Sequence, residues 1–213
     1  IIDSIFIGHG VGAMGIAGLA ITFPLMNLII AFCTLVGVGA ATISSIYMGQ
    51  KDIQRATFVL HNAAILLLVN GLLVTIVTLI FLDPILLFFG ASHETLPYAR
   101  DFMQVILIAN PIAYLFVGLN NLMRATGYPK KAMLSSFLTV AVNVIVAPIF
   151  IFVLDWGIRG AAMATAIAQL TGLVWVLAHF LNKKSFISFK KGCFKLHRRI
   201  IASILSIGMS PFL

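Results

Sequence analysis

The stretch that decides the fold is residues 110–133, NPIAYLFVGLNNLMRATGYPKKAM. It begins as an apolar run, turns basic at Arg124, Lys130 and Lys131, and becomes apolar again from Ala132. An apolar segment, a short basic connection and a second apolar segment read as two membrane helices joined at one face of a bilayer. Working outward, the same alternation covers the whole chain.

Composition agrees with this reading. Apolar residues make up 61% of the 213 and charged residues 9%, with a mean hydropathy of +1.11. A soluble globule carries roughly 45–50% apolar and about 25% charged residues, so the chain is an integral membrane protein. Its formal charge of +8 falls between apolar spans rather than in a stripe on one face, so membrane topology explains it and nucleic acid does not. Cys33 and Cys193 are isolated, without metal or redox spacing. The segment GVGAMG (10–15) matches a dinucleotide-binding pattern by letters alone, since no strand precedes it and no acid lies near residue 30. The five histidines have no ligand spacing, and there is no Walker A sequence and no nucleophile–base pair. The expectation is therefore no enzyme, no cofactor and no dedicated metal centre.

Each complete span has the ~20 apolar residues a bilayer demands. The reading gives a partial first helix over 1–10, then spans at 24–47, 58–82, 100–123, 132–154 and 158–181, and a seventh beginning near 199. Gly-rich HGVGAMGIAG is expected to connect the first two. Residues 1–181 then form one six-helix lobe, 182–198 a basic linker, and 199–213 the start of a second lobe. With no initiator Met and an unfinished last segment, the sequence reads as a fragment of a longer chain. Of its 14 basic residues, 12 fall after the second, fourth and sixth spans; the opposite side keeps Arg100 and Arg159. By the positive-inside rule the even-numbered connections and the N-terminus are cytoplasmic. The location implied is the cell (inner) membrane, crossed several times.

Polar residues at membrane depth mark the candidate site. Asp3 is the one carboxylate expected within a span, ~10 Å below the outer boundary. An intramembrane acid is by default a cation or proton site, and desolvation would raise its pKa toward neutrality. In the fourth span Asn110 and Asn121 are three turns apart on one face, with Tyr114 one turn from Asn110, and Pro111 is expected to kink the helix. In the fifth, Ser136, Thr139, Asn143 and Ala147 form a stripe, followed by Pro148 as a second bend. Thr165, Gln169 and Gly172 make a third stripe in the sixth. Such stripes serve either as interhelical glue or as the lining of a hydrated cavity. Gly160, Ala164, Ala168 and Gly172, like Gly8 and Gly12, have the spacing of close helix packing.

Four segments, IIDSIFIGHGVGAMGIAGLAITFP, YMGQKDIQRA, NNLMRATGYPKKAM and NVIVAPIFIFVLDWGIRGAAMATAIAQ, occur in the order found in MATE (multidrug and toxic compound extrusion) transporters, and the chain resembles that family over nearly its whole length. The resemblance implies an all-α integral membrane fold: the six-helix N-lobe of a twelve-helix transporter, its first helix truncated and the start of the seventh present. It implies export of drugs and other organic cations or amphipathic compounds in exchange for H⁺ or Na⁺ by alternating access, in a protein that is monomeric when complete. By the same resemblance Asp3 matches the family's coupling acid, while Asn120, Asn143 and Thr165 look like cavity residues. With Asp3 these three could supply oxygen ligands to Na⁺. Asn121 is the alternative match beside Asn120. Where many relatives carry an Asp before the fifth-helix proline, this chain has Ala147, which leaves the coupling role to Asp3. The competing expectations are a lipid-linked saccharide flippase of the same superfamily, or a membrane scaffold that transports nothing.

Overall fold

The computed structural model describes residues 12–182, 185–189 and 198–209. Asp3 and Gly8 lie outside the described residues, as does the partial first helix. The described chain is helical throughout: α1 (Ala13–Gly49), α2 (Ile53–Ile80), α3 (Leu82–Phe88), α4 (Leu96–Ala125), α5 (Pro129–Pro148), a π-helical turn (Ile149–Val153), α6 (Gly157–Leu181) and α7 (Arg198–Gly208). Five of these elements are long and apolar enough to cross a bilayer, α5 together with its π turn counting as one. They correspond to the second to sixth expected spans, and α7 begins at the residue before the expected seventh start.

The Gly-rich connector is corrected. From Ala13 onward it is helix, and α1 runs through Pro24 for 37 residues, ~55 Å. In a bilayer, backbone N–H and C=O groups have no water to turn to, so helical bonding overrides the poor propensity of glycine and the donor missing at proline. Gly12 has φ +84, a backbone turn at the start of α1 that favours glycine. Beyond α2 a short helix, α3, occupies a region left without an element by the sequence reading.

α4 is the central post, packed against α1, α2, α5 and α6. Lipid tails are as apolar as leucine, so helices associate here through close fit and hydrogen bonds. Gly118 of α4 lies against Leu67 of α2, and its Cα is 3.2 Å from where a Cβ on Gly37 of α1 would stand. Met103, Leu107, Leu119, Leu122 and Met123 of α4 are completely buried. On the outside of the bundle Leu73, Ile80, Phe137, Ile145 and Val174 are more than half exposed, as expected for residues facing lipid. The ridge of Gly160, Ala164, Ala168 and Gly172 is buried as its spacing foretold.

α7 packs on α1 backbone to backbone: Gly39 sits against the carbonyl of Ile204, and Gly208 against that of Leu35. At the same end of the bundle residues 185–189 fold back onto the helices. Phe189 donates its N–H to Phe180 O at 2.9 Å, stacks edge-on against His61, and Ile187 and Ser188 are buried.

Candidate functional site

The sequence-predicted polar residues divide into two groups. Asn110 (3% exposed) and Tyr114 (1%) point into the α1–α2–α4 seam. The Asn110 amide donates to Gly71 O at 3.3 Å and to Thr75 Oγ1 at 3.1 Å. Tyr114 donates its hydroxyl to Ile29 O at 2.7 Å. Asn121 faces the same seam, its side-chain nitrogen 3.2 Å from where a Cβ on Gly37 would stand. These contacts tie α4 to its neighbours, at two residues the sequence reading assigned to a cavity.

Asn120 (4% exposed) ties α4 to the start of α5. Its amide donates to Ser135 Oγ at 2.6 Å and to Ala132 O at 3.1 Å, and the Ser135 hydroxyl donates to the same carbonyl at 2.8 Å. Ser135 and Asn143 stand ~12 Å apart along α5. The structure therefore does not bring Asn120 to Asn143 and Thr165, and Asp3, the remaining member of the expected Na⁺ set, lies outside the described residues. Sequence spacing cannot detect this, because Asn120 and Asn121 differ only in which side of α4 they face.

The second group lies between α5 and α6. Asn143, half-buried, donates its amide N–H to Thr165 Oγ1 at 3.1 Å, and Thr165 donates to Ala161 O at 3.1 Å. The antiparallel register sets Thr139 against Gly172, where a Cβ would meet Thr139 Oγ1 at 2.5 Å. Half-buried Gln169 falls between these two levels. Thr139 donates to Ser135 O at 2.8 Å within its own helix. Asn143 thus keeps its carbonyl oxygen available as an acceptor, and Thr165 is held in place by its bonds to Asn143 and Ala161. Thr165 stands ~12 Å along α6 from Gly157, well inside the apolar slab. Oxygen donors held at that depth can take a cation or a polar group of a solute.

Beside this pair the backbone departs from α geometry. Pro148 has no N–H, and the chain continues as a π turn in which Leu154 N donates to Ile149 O at 3.0 Å. Phe150 O faces Gly160, where a Cβ would approach to 2.7 Å. Ala147 is completely buried. At Pro111, by contrast, α4 continues unbroken. No group of three or more His, Cys, Asp or Glu side chains that could hold a metal occurs among the described residues.

The MatE family model matches residues 1–149. The multidrug export protein MepA of Staphylococcus haemolyticus (strain JCSC1435) is 32% identical over all 213 residues, which cover 47% of its length. MepA of Staphylococcus aureus (strain NCTC 8325 / PS 47) is 30% identical with the same coverage. The chain thus spans about half the length of the curated relatives it matches. Among solved structures, an inward-facing multidrug resistance MATE family transporter of the MOP superfamily superposes with TM-score 0.92 at 28% identity, over 98% of this chain and 47% of that one. An outward-facing structure of such a transporter gives TM-score 0.90 at 28% identity, over 97% and 46%. With the family model covering more than half its length and five membrane-length helices among the described residues, the chain belongs to the MATE family.

Proposed function

We propose that the complete protein exports amphipathic or cationic small molecules across the cell membrane, coupled to inward movement of H⁺ or Na⁺. The observation that carries this reading is the Asn143–Thr165 pair, a hydrogen-bonded set of oxygen donors held at membrane depth between α5 and α6 in a lobe of a multidrug transporter family. Asp3 supplies the exchangeable charge. It binds the coupling ion when the site faces outward and releases it inward, and the ion drives the cycle only through its different affinity for the two states. Asn143 and Thr165 orient the ion or its water, and Gln169 extends the polar wall one turn along α6. The orientation follows from charge: the end bearing Lys51, Arg55, Arg124, Lys130 and Lys131 is cytoplasmic.

Dye uptake into inverted vesicles made with the full-length protein, driven in turn by a pH and a Na⁺ gradient, tests this, since export from the cytoplasm is movement into their lumen. Wild type should accumulate a cationic dye under one gradient, and Asp3→Asn should remove the ion dependence. Ion-driven uptake by Asp3→Asn equal to wild type would take Asp3 out of the coupling. Saccharide-lipid flipping without any dye uptake would replace the function.

A further inference from the structure

We propose that the groove between the start of α5 and the end of α6 binds the headgroup of an anionic phospholipid from the surrounding bilayer. The groove has a volume of about 330 Å³ and is lined by Lys131, Trp175, Ala178, His179 and Asn182. Its chemistry is graded along the membrane normal. Trp175 and Asn182 are ~10 Å apart along α6, enough to cross the interfacial layer, which is about 5–8 Å thick on each side. The polar wall of Lys131, His179 and Asn182 stands at the headgroup end, and Trp175 (42% exposed) stands where the acyl chains begin. Tryptophan favours that boundary because its ring is apolar and its N–H is not. Exposed Leu134, Phe137 and Val174 on the same two helices give the chains an apolar path.

Charge selects the ligand. The described ion pairs are Arg55–Asp52, Arg100–Asp83 and Arg159–Asp101. Lys131 belongs to none of them. Its ammonium lies 5.1 Å from the centre of the Tyr128 ring, a contact that leaves its positive charge without a carboxylate partner among the described residues. Lys130 is its neighbour in sequence and is exposed. A phosphodiester without a compensating headgroup cation, as in phosphatidylglycerol, fits this wall better than zwitterionic phosphatidylcholine. The inference depends on α5 and α6 lying in a bilayer and not on the export activity.

Native mass spectrometry of the purified full-length protein, titrated with phosphatidylglycerol and separately with phosphatidylcholine, provides the test. Wild type should retain phosphatidylglycerol preferentially. Lys131→Ala should weaken that retention roughly fivefold, the worth of one juxtamembrane lysine, while Lys131→Arg should keep most of it. Lys51→Ala, at another basic connection, should leave it unchanged. Equal loss in Lys51→Ala would show general charge attraction and overturn the site, as would the absence of any preference for phosphatidylglycerol. Displacement of the lipid by inorganic phosphate at equal concentration would assign the groove to a free anion instead.

Discussion

At the scale of single residues, the structure separates polar groups that bind helices together from those that can serve a solute. Asn110, Tyr114 and Asn120 have their donors engaged in the seams around α4. Tyr114→Phe removes one hydroxyl bond to Ile29 O, so it should lower stability by about 0.6 kcal/mol and leave the ion dependence of transport unchanged. A thermal shift together with dye efflux measures both. Asn143→Ala should do the reverse, with a small stability loss and efflux reduced at least tenfold. Because Asn143 and Thr165 share a bond, Asn143→Ala and Thr165→Ala should be non-additive in a double-mutant cycle of efflux rates. The sequence showed that these side chains sit at membrane depth, since an asparagine within an apolar run has nowhere else to be. It could not show which neighbour each faces, because one residue turns a helix by about 100° and the neighbours are brought close by the fold, not by the chain. Hence Asn110 and Tyr114, expected in a cavity, prove to face α1 and α2.

At the scale of elements, span number and order were legible because ~20 apolar residues between charged connections admit few alternatives. The misread parts were those where the membrane overrides local preference. Glycines and Pro24 look like breaks in a soluble chain, yet α1 passes through both. The two prolines expected to bend their helices behave differently: α4 continues through Pro111, whereas α5 changes to π geometry after Pro148. Pro148→Ala restores the missing donor and should return Ile149–Val153 toward α geometry, seen as slower amide exchange in that segment. Gly172→Leu should be far more damaging, because a side chain there meets Thr139 and the Phe116 ring. Loss of folded protein in fluorescence-detected size exclusion would register that the α5–α6 seam has been forced apart.

At the scale of the whole molecule, charge and shape both bear on how the lobe works. The end carrying Asp83, Glu94, Asp101 and Asp155 pairs its two arginines with Asp83 and Asp101, while most of the bases lie at the other end. Labelling intact cells with a membrane-impermeant thiol reagent checks the orientation: in a Cys193→Ser background, Ser92→Cys should react and Lys130→Cys should not. The lobe superposes on inward- and outward-facing transporters almost equally well, as expected of a body that keeps its internal packing while its position changes. The seam between α1 and α7 adds a consequence of its own. Since α7 is held to the lobe by backbone contact at Gly39 and Gly208, and residues 185–189 are anchored independently, the peptide bonds between 190 and 197 are not needed to keep α7 on the lobe. The gene could be divided there and its two products, made separately in the same cell, should find each other and assemble.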